Sequence, residues 1–151
     1  MVLVIVGVLV GTAVLSIGGR TDEALREEIE RMAALLRLSQ EEAILQSREL
    51  GLGIWRDGYG FYRLAGEQWQ RLTDDELLHS RELPEAAEVA LFLEGVKVSL
   101  EPEPRNKPQV FILSSGEMSA FELTLSTDGA PPHRLQADAM GRIEMELADG
   151  G

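Results

Sequence analysis

Hydrophobic positions change their rhythm along this chain. Residues 1–17, MVLVIVGVLVGTAVLSI, are uncharged and dominated by Val, Leu and Ile. At ~1.5 Å of rise per residue, a helix of that length reaches the lower edge of a bilayer's hydrocarbon thickness. Further on, Leu25, Ile29, Met32, Leu36, Ala43, Ser47 and Leu50 fall on one stripe at three- and four-residue spacing, flanked by Ala33 and Ile44. Beyond Gly51 the period drops to two, and short apolar runs alternate with Gly, Pro, Asn and Asp. The pattern predicts a helical spine, apolar in its first half and amphipathic in its second, followed by a β-rich head.

Gly18-Gly19 interrupts the apolar run, and Arg20 is the first charge. Thr21 fits an N-cap, with Asp22 and Glu23 at the positive end of the helix that follows, and Gly51 fits its C′ stop. The expected divisions are 1–19 as a transmembrane half, 20–50 as the amphipathic half and 51–151 as the head. Glu27, Glu30, Arg31, Arg37, Glu41, Arg48 and Glu49 read as a solvated face, with Glu27 and Arg31 paired at i,i+4. Leu35, Leu38 and Leu45 lie on or near that charged side. Either they rest against a loop of the same chain or they mark where a neighbouring spine packs. Ser39-x-x-Glu42 has capping-box spacing, which reads as a local bend or as nothing. Gly7 and Gly11 form a small-xxx-small pair, open to close helix approach or to the ordinary role of membrane-helix glycines.

In the head, GLGIWRD and YGFYRLA flank Asp57-Gly58, a two-residue hairpin signal, and EQWQRL follows an Ala65-Gly66 turn, giving a three-stranded meander. Trp55, Tyr59, Phe61, Tyr62 and Trp69 are expected to fill its core. Thr73 to Pro84 reads as an irregular excursion. EVALFLEG, VKVSLEP, PQVFILSSGE, SAFELTLST, HRLQADA and RIEMELA read as further strands, with Pro102 to Pro108 and the turn at Asp128-Gly129 as exposed connections. So many short strands predict a sandwich or a strongly bent sheet.

A formal net charge of −12 argues against a nucleic-acid partner and against lying on an anionic membrane face. The absence of cysteine removes disulfides, thiolate metal sites and cysteine nucleophiles. His79 and His133 are far apart in sequence and sit beside no nucleophile in a known local arrangement. Asp74-Asp75-Glu76 lacks the spacing of a calcium loop, and Ser114-Ser115-Gly116-Glu117 reads as a tight turn rather than an esterase elbow. No catalytic, cofactor-binding or metal-ligating residue is assigned, and no cofactor.

MVLVIVGVLVGTAVLSIGGR resembles the membrane half of a type IV pilin-like N-terminal helix. ALREEIERMAALLRLSQEEAILQSRELGLGIWRDGYGFYRL and the strand-SSGE-strand layout of VFILSSGEMSAFELTL are similar to the GspH/FimT family of minor pseudopilins of bacterial type II secretion. The resemblance implies an α+β, pilin-like fold: a long N-terminal helical spine, membrane-spanning in its first half, packed on a C-terminal antiparallel β-sandwich head. It implies a non-catalytic subunit near the tip of a periplasmic pseudopilus, aiding assembly and protein export across the outer membrane. The implied partners are other minor and major pseudopilins, the secretin and exported proteins, with the inner membrane holding the N-terminal helix. Gly7, Gly11, Leu35, Leu38 and Leu45 are the candidate assembly residues.

Pilin-like precursors carry a basic leader, a glycine cleavage site before a phenylalanine and a glutamate early in the apolar run. This sequence opens inside the run. A mis-set start codon or a truncated chain is therefore expected, and no residue is assigned to processing or to subunit registration. Gly11-Thr12-Ala13 imitates the small-residue site of a secretory signal, but no basic segment precedes the run, so a retained membrane helix is the expectation. Two other readings stay open: a minor pilin of a type IV pilus or DNA-uptake system, and a membrane-anchored periplasmic enzyme or binding protein.

Overall fold

The computed structural model describes residues 2–148, with side chains from Arg20 onward. The expectations placed on the side-chain packing of residues 1–19, Gly7 and Gly11 included, lie outside the described side chains. A single helix, α1, runs from Val2 to Gln46. It passes through Gly18-Gly19 without a break, so Thr21 is an interior residue and not an N-cap. Glycine costs a helix about 1 kcal/mol of propensity relative to alanine but keeps its N–H, and the ladder continues.

The spine stops four residues before the expected boundary. Ser47 takes the left-handed conformation with φ 51°, the Arg48 N–H donates to the Ala43 carbonyl (3.1 Å), and the Ser47 N–H donates to the Ile44 carbonyl (3.4 Å). This is the paired pattern of a Schellman C-cap, with serine in the place usually taken by glycine. Leu50 and Gly51 belong to the first strand instead. A β-carbon on Gly51 would lie 2.3 Å from Pro108 Cγ, so close approach of another segment explains that glycine.

Ten strands follow among the described residues, all paired antiparallel. In the first sheet the order is β3 (Gln68–Arg71), β2 (Gly58–Ala65), β1 (Leu50–Trp55), β7 (Val110–Ile112), and a short β4 (Arg81–Glu82) pairs with the start of β2. The second sheet runs β10 (Ile143–Glu146), β9 (His133–Ala137), β8 (Phe121–Ser126), β5 (Glu88–Leu93), β6 (Val96–Val98). The meander is as the alternation predicts. Its first turn is shifted by one residue: Trp55 pairs with Gly58, leaving Arg56 and Asp57 as the loop. β4 lies in the stretch expected to be irregular.

The helix packs against β9, β10 and β8 of one sheet and against β1 and β7 of the other. Ile29, Met32 and Leu36 share one core with Leu52, Ile54 and Phe61 of the first sheet and Leu91, Leu123, Leu125 and Leu135 of the second. Sandwich and spine therefore close over the same apolar interior. The stripe from Leu25 to Ala43 is buried as its spacing requires, whereas Ser47 and Ile44 are exposed because the helix ends there.

Tyr59 and Phe61 point into that core, but Trp55, Tyr62 and Trp69 do not. Strand alternation puts them on the outer side of the first sheet, together with Gly51, Gly53, Gly58 and Gly60. The missing side chains form a trough. A β-carbon on Gly53 would lie 2.5 Å from the Tyr62 ring, and one on Gly58 2.5 Å from Trp55 Nε1. Trp69 stacks on Phe111 across the sheet at 5.7 Å between ring centroids.

Candidate assembly surface

At the C-terminal end of the spine, apolar side chains meet water. Leu45 is 83% exposed and Ile44 48%, immediately after a fully buried Ala43. Their surroundings are fixed from below. Gln40 donates through Nε2 to the carbonyls of Gly116 (3.1 Å) and Gly141 (2.9 Å), tying two turns of the head to the helix. Both glycines have positive φ, 93° and 85°. Ile44 lies over Gly116, where it would touch an added β-carbon at 3.4 Å. Glu49 holds the same region by accepting from the Ser114 hydroxyl (2.7 Å) and backbone N–H (3.2 Å). Met140, on the turn that Gln40 anchors, is also largely exposed. The result is an apolar knob on a rigid base.

The three leucines flagged from the sequence part company here. Leu35 is 7% exposed and belongs to the core, so it cannot face a neighbour. Leu38 is half-buried and packs against the same core from its margin. Only Leu45 is free of the head.

Two polar side chains, Glu28 and Ser39, are buried along the helix. Glu28 sits beneath the head and accepts a hydrogen bond from the Tyr59 hydroxyl (2.5 Å), with Arg31 as its ion-pair partner. Arg31 thus pairs with Glu28 and not with the expected Glu27. Burial, and secondarily the hydrogen bond and charge of Glu28, push the Tyr59 hydroxyl well above its ordinary range, so it stays a donor. Ser39 satisfies its hydroxyl on the Leu36 carbonyl (2.7 Å) and caps nothing. No local spacing marks Glu28, because its partner lies in β2.

His133 opens β9 and is fully buried. Its Nδ1 accepts from the Ala148 N–H (3.0 Å), which leaves Nε2 to donate to Asp22 (2.9 Å). One imidazole thereby joins the spine at Asp22, the second sheet and the segment that follows β10. Asp75 is spent locally, its Oδ1 accepting from the backbone N–H groups of Leu77 and Leu78 (2.9 and 2.8 Å). Among the described residues no three His, Asp or Glu side chains converge as metal ligands would. From Arg20 onward, where side chains are described, no helix is long and apolar enough to cross a membrane.

The family model described as type II transport protein GspH matches residues 28–141. The chain is 38% identical to type II secretion system protein H of Pseudomonas aeruginosa, over 93% of its own length and 86% of the relative's. It is 35% identical to the protein of the same name from Aeromonas hydrophila, covering 91% and 84%. Its fold superposes on the minor pseudopilin EpsH from the type 2 secretion system of Vibrio cholerae with a TM-score of 0.71 at 27% identity, covering 85% of this chain and 98% of that one.

Proposed function

The chain belongs to the GspH family of type II transport proteins, and on that premise we propose that it works as a membrane-tethered rod carrying an acidic head within a secretion pseudopilus. A minor pseudopilin of type II secretion is a structural component. Its positions in the assembly, in this reading, are an inner-membrane anchor through residues 1–19, a periplasmic head and a place near the filament tip. Sister pseudopilins would be its direct neighbours, with the secretin and exported proteins as further contacts. The names of the relatives favour secretion over a pilus or DNA-uptake role, and so does the charge of −12. Buried Glu28 and His133 are occupied with holding elements together and buried Ser39 bonds within its own helix, which supports a structural role over a catalytic one.

The observation that carries the assembly reading is Leu45, 83% exposed on a helix end whose base is clamped by Gln40 and Glu49. We assign it, with Ile44 and Met140, to contact with a neighbouring subunit; Gly7 and Gly11 would serve close spine packing lower down. Leu35 is withdrawn from that role by its burial, and half-buried Leu38 keeps only an edge that such a neighbour could touch. The test is co-purification of sister pseudopilins with the full chain from cell membranes. Leu45→Ser is expected to reduce recovery severalfold with the melting temperature unchanged. Undiminished recovery would remove Leu45 from the interface.

A further inference from the structure

The chain is strongly acidic, yet on the outer side of the first sheet the balance reverses. A groove of about 930 Å³ runs between β3 and the segment 103–107. Arg71, Arg105 and Lys107 line it against a single carboxylate, Glu103, and Trp69 and Tyr62 contribute its aromatic walls. Arg105 and Lys107 make no ion pair among the described residues, and Arg71 lies over the Trp55 ring at 5.9 Å. The Tyr62 hydroxyl donates to the Arg105 carbonyl (2.8 Å), which fixes the far wall to the sheet.

β3 is also an edge strand. The Leu72 N–H donates to the Phe61 carbonyl, so in this antiparallel pair Leu72, Gln70 and Gln68 direct their backbone groups towards β2. Trp69 and Arg71 direct theirs outward, beside the groove. An edge of this kind recruits an extended segment by main-chain pairing, while side-chain pockets choose among sequences. Here the choosing groups are cations and aromatic rings. From this juxtaposition we propose that β3 and its groove receive an acidic, extended segment of a partner polypeptide as an added strand.

The proposal is independent of the Leu45 contact, which lies at the helix end. Its probe is a labelled (Glu-Val)4 peptide, titrated into the full chain in detergent micelles. Binding is expected, weakening as salt rises, and the same peptide N-methylated at every backbone nitrogen should bind about tenfold more weakly, because it keeps the charge and loses every N–H that pairing needs. The combined variant Arg71→Gln, Arg105→Gln, Lys107→Gln should also lose about tenfold in affinity at an unchanged melting temperature. A photo-crosslinking version of the peptide should label residues 68–71 of the unsubstituted chain, a readout that does not depend on the variant folding. Failure of (Glu-Val)4 to bind, equal binding of the N-methylated peptide, or labelling confined to other segments would each overturn the proposal.

Discussion

Along β8 the residues alternate between buried and half-buried, and along β9 between buried and exposed, so the second sheet gives one face to the core and the other to water. In the first sheet, β1 is buried at all six of its positions and β2 at its first five. Its inner face packs aliphatic and aromatic side chains against the helix, as the second sheet does. Its outer face has glycines, and the space they leave is filled by Trp55, Tyr62 and Pro108. One sheet is ordinary amphipathic structure. The other is sealed on both sides and carries the basic groove on its lid. Rigidity there is what a strand-accepting edge needs, because a frayed edge must be ordered before it can pair.

The comparison first predicts where the sheets should behave alike. Leu123 of β8 and Leu52 of β1 both lie in the shared core. Truncating either to alanine should cost about 2–5 kcal/mol of unfolding free energy. Both tryptophans, Trp55 and Trp69, report on the first sheet, so denaturant unfolding followed by their fluorescence gives a direct check. If Leu123→Ala leaves that transition in place, the two sheets do not unfold as one unit. Gly53→Ala probes where they differ. The new β-carbon must displace a Tyr62 ring already tethered at its hydroxyl, at a cost of about 1–3 kcal/mol. An unchanged midpoint would mean the outer face is looser than the trough geometry implies.

The same contrast explains what could be read from the residues alone. β8 and β9 announce themselves because period-two burial needs only local alternation. The hairpin of β1 and β2 is equally legible, but its sealed outer face is not, since Pro108 and Arg105 arrive from a segment that looks like an exposed loop. Glu28 stands between Glu27 and a charged Glu30 turn, and nothing nearby reveals that Tyr59 covers it. Leu38 and Leu45 project within about 20° of one another on a helical wheel. The head nonetheless borders Leu38 and leaves Leu45, two residues before the left-handed Ser47 that ends the helix, bare.

The last contrast is chemical. The chain's two tyrosines, Tyr59 and Tyr62, both lie on β2, so the alkaline titration of tyrosine addresses the first sheet alone. Burial raises the Tyr62 hydroxyl above its ordinary value, with Arg71 nearby offsetting part of the rise. A group whose native pKa is raised binds its proton more tightly when folded. Its contribution to stability is complete below the unfolded value of about 10 and is lost as the pH climbs through the native one. Tyr62→Phe removes the hydrogen bond to Arg105 and should cost about 1 kcal/mol at neutral pH. Phenylalanine cannot ionise, so the variant escapes that alkaline loss and the gap between the two proteins should narrow above pH ~10. A gap that stays constant or widens would show that the Tyr62 hydroxyl meets solvent freely, and that the outer face of the first sheet is no more sealed than that of the second.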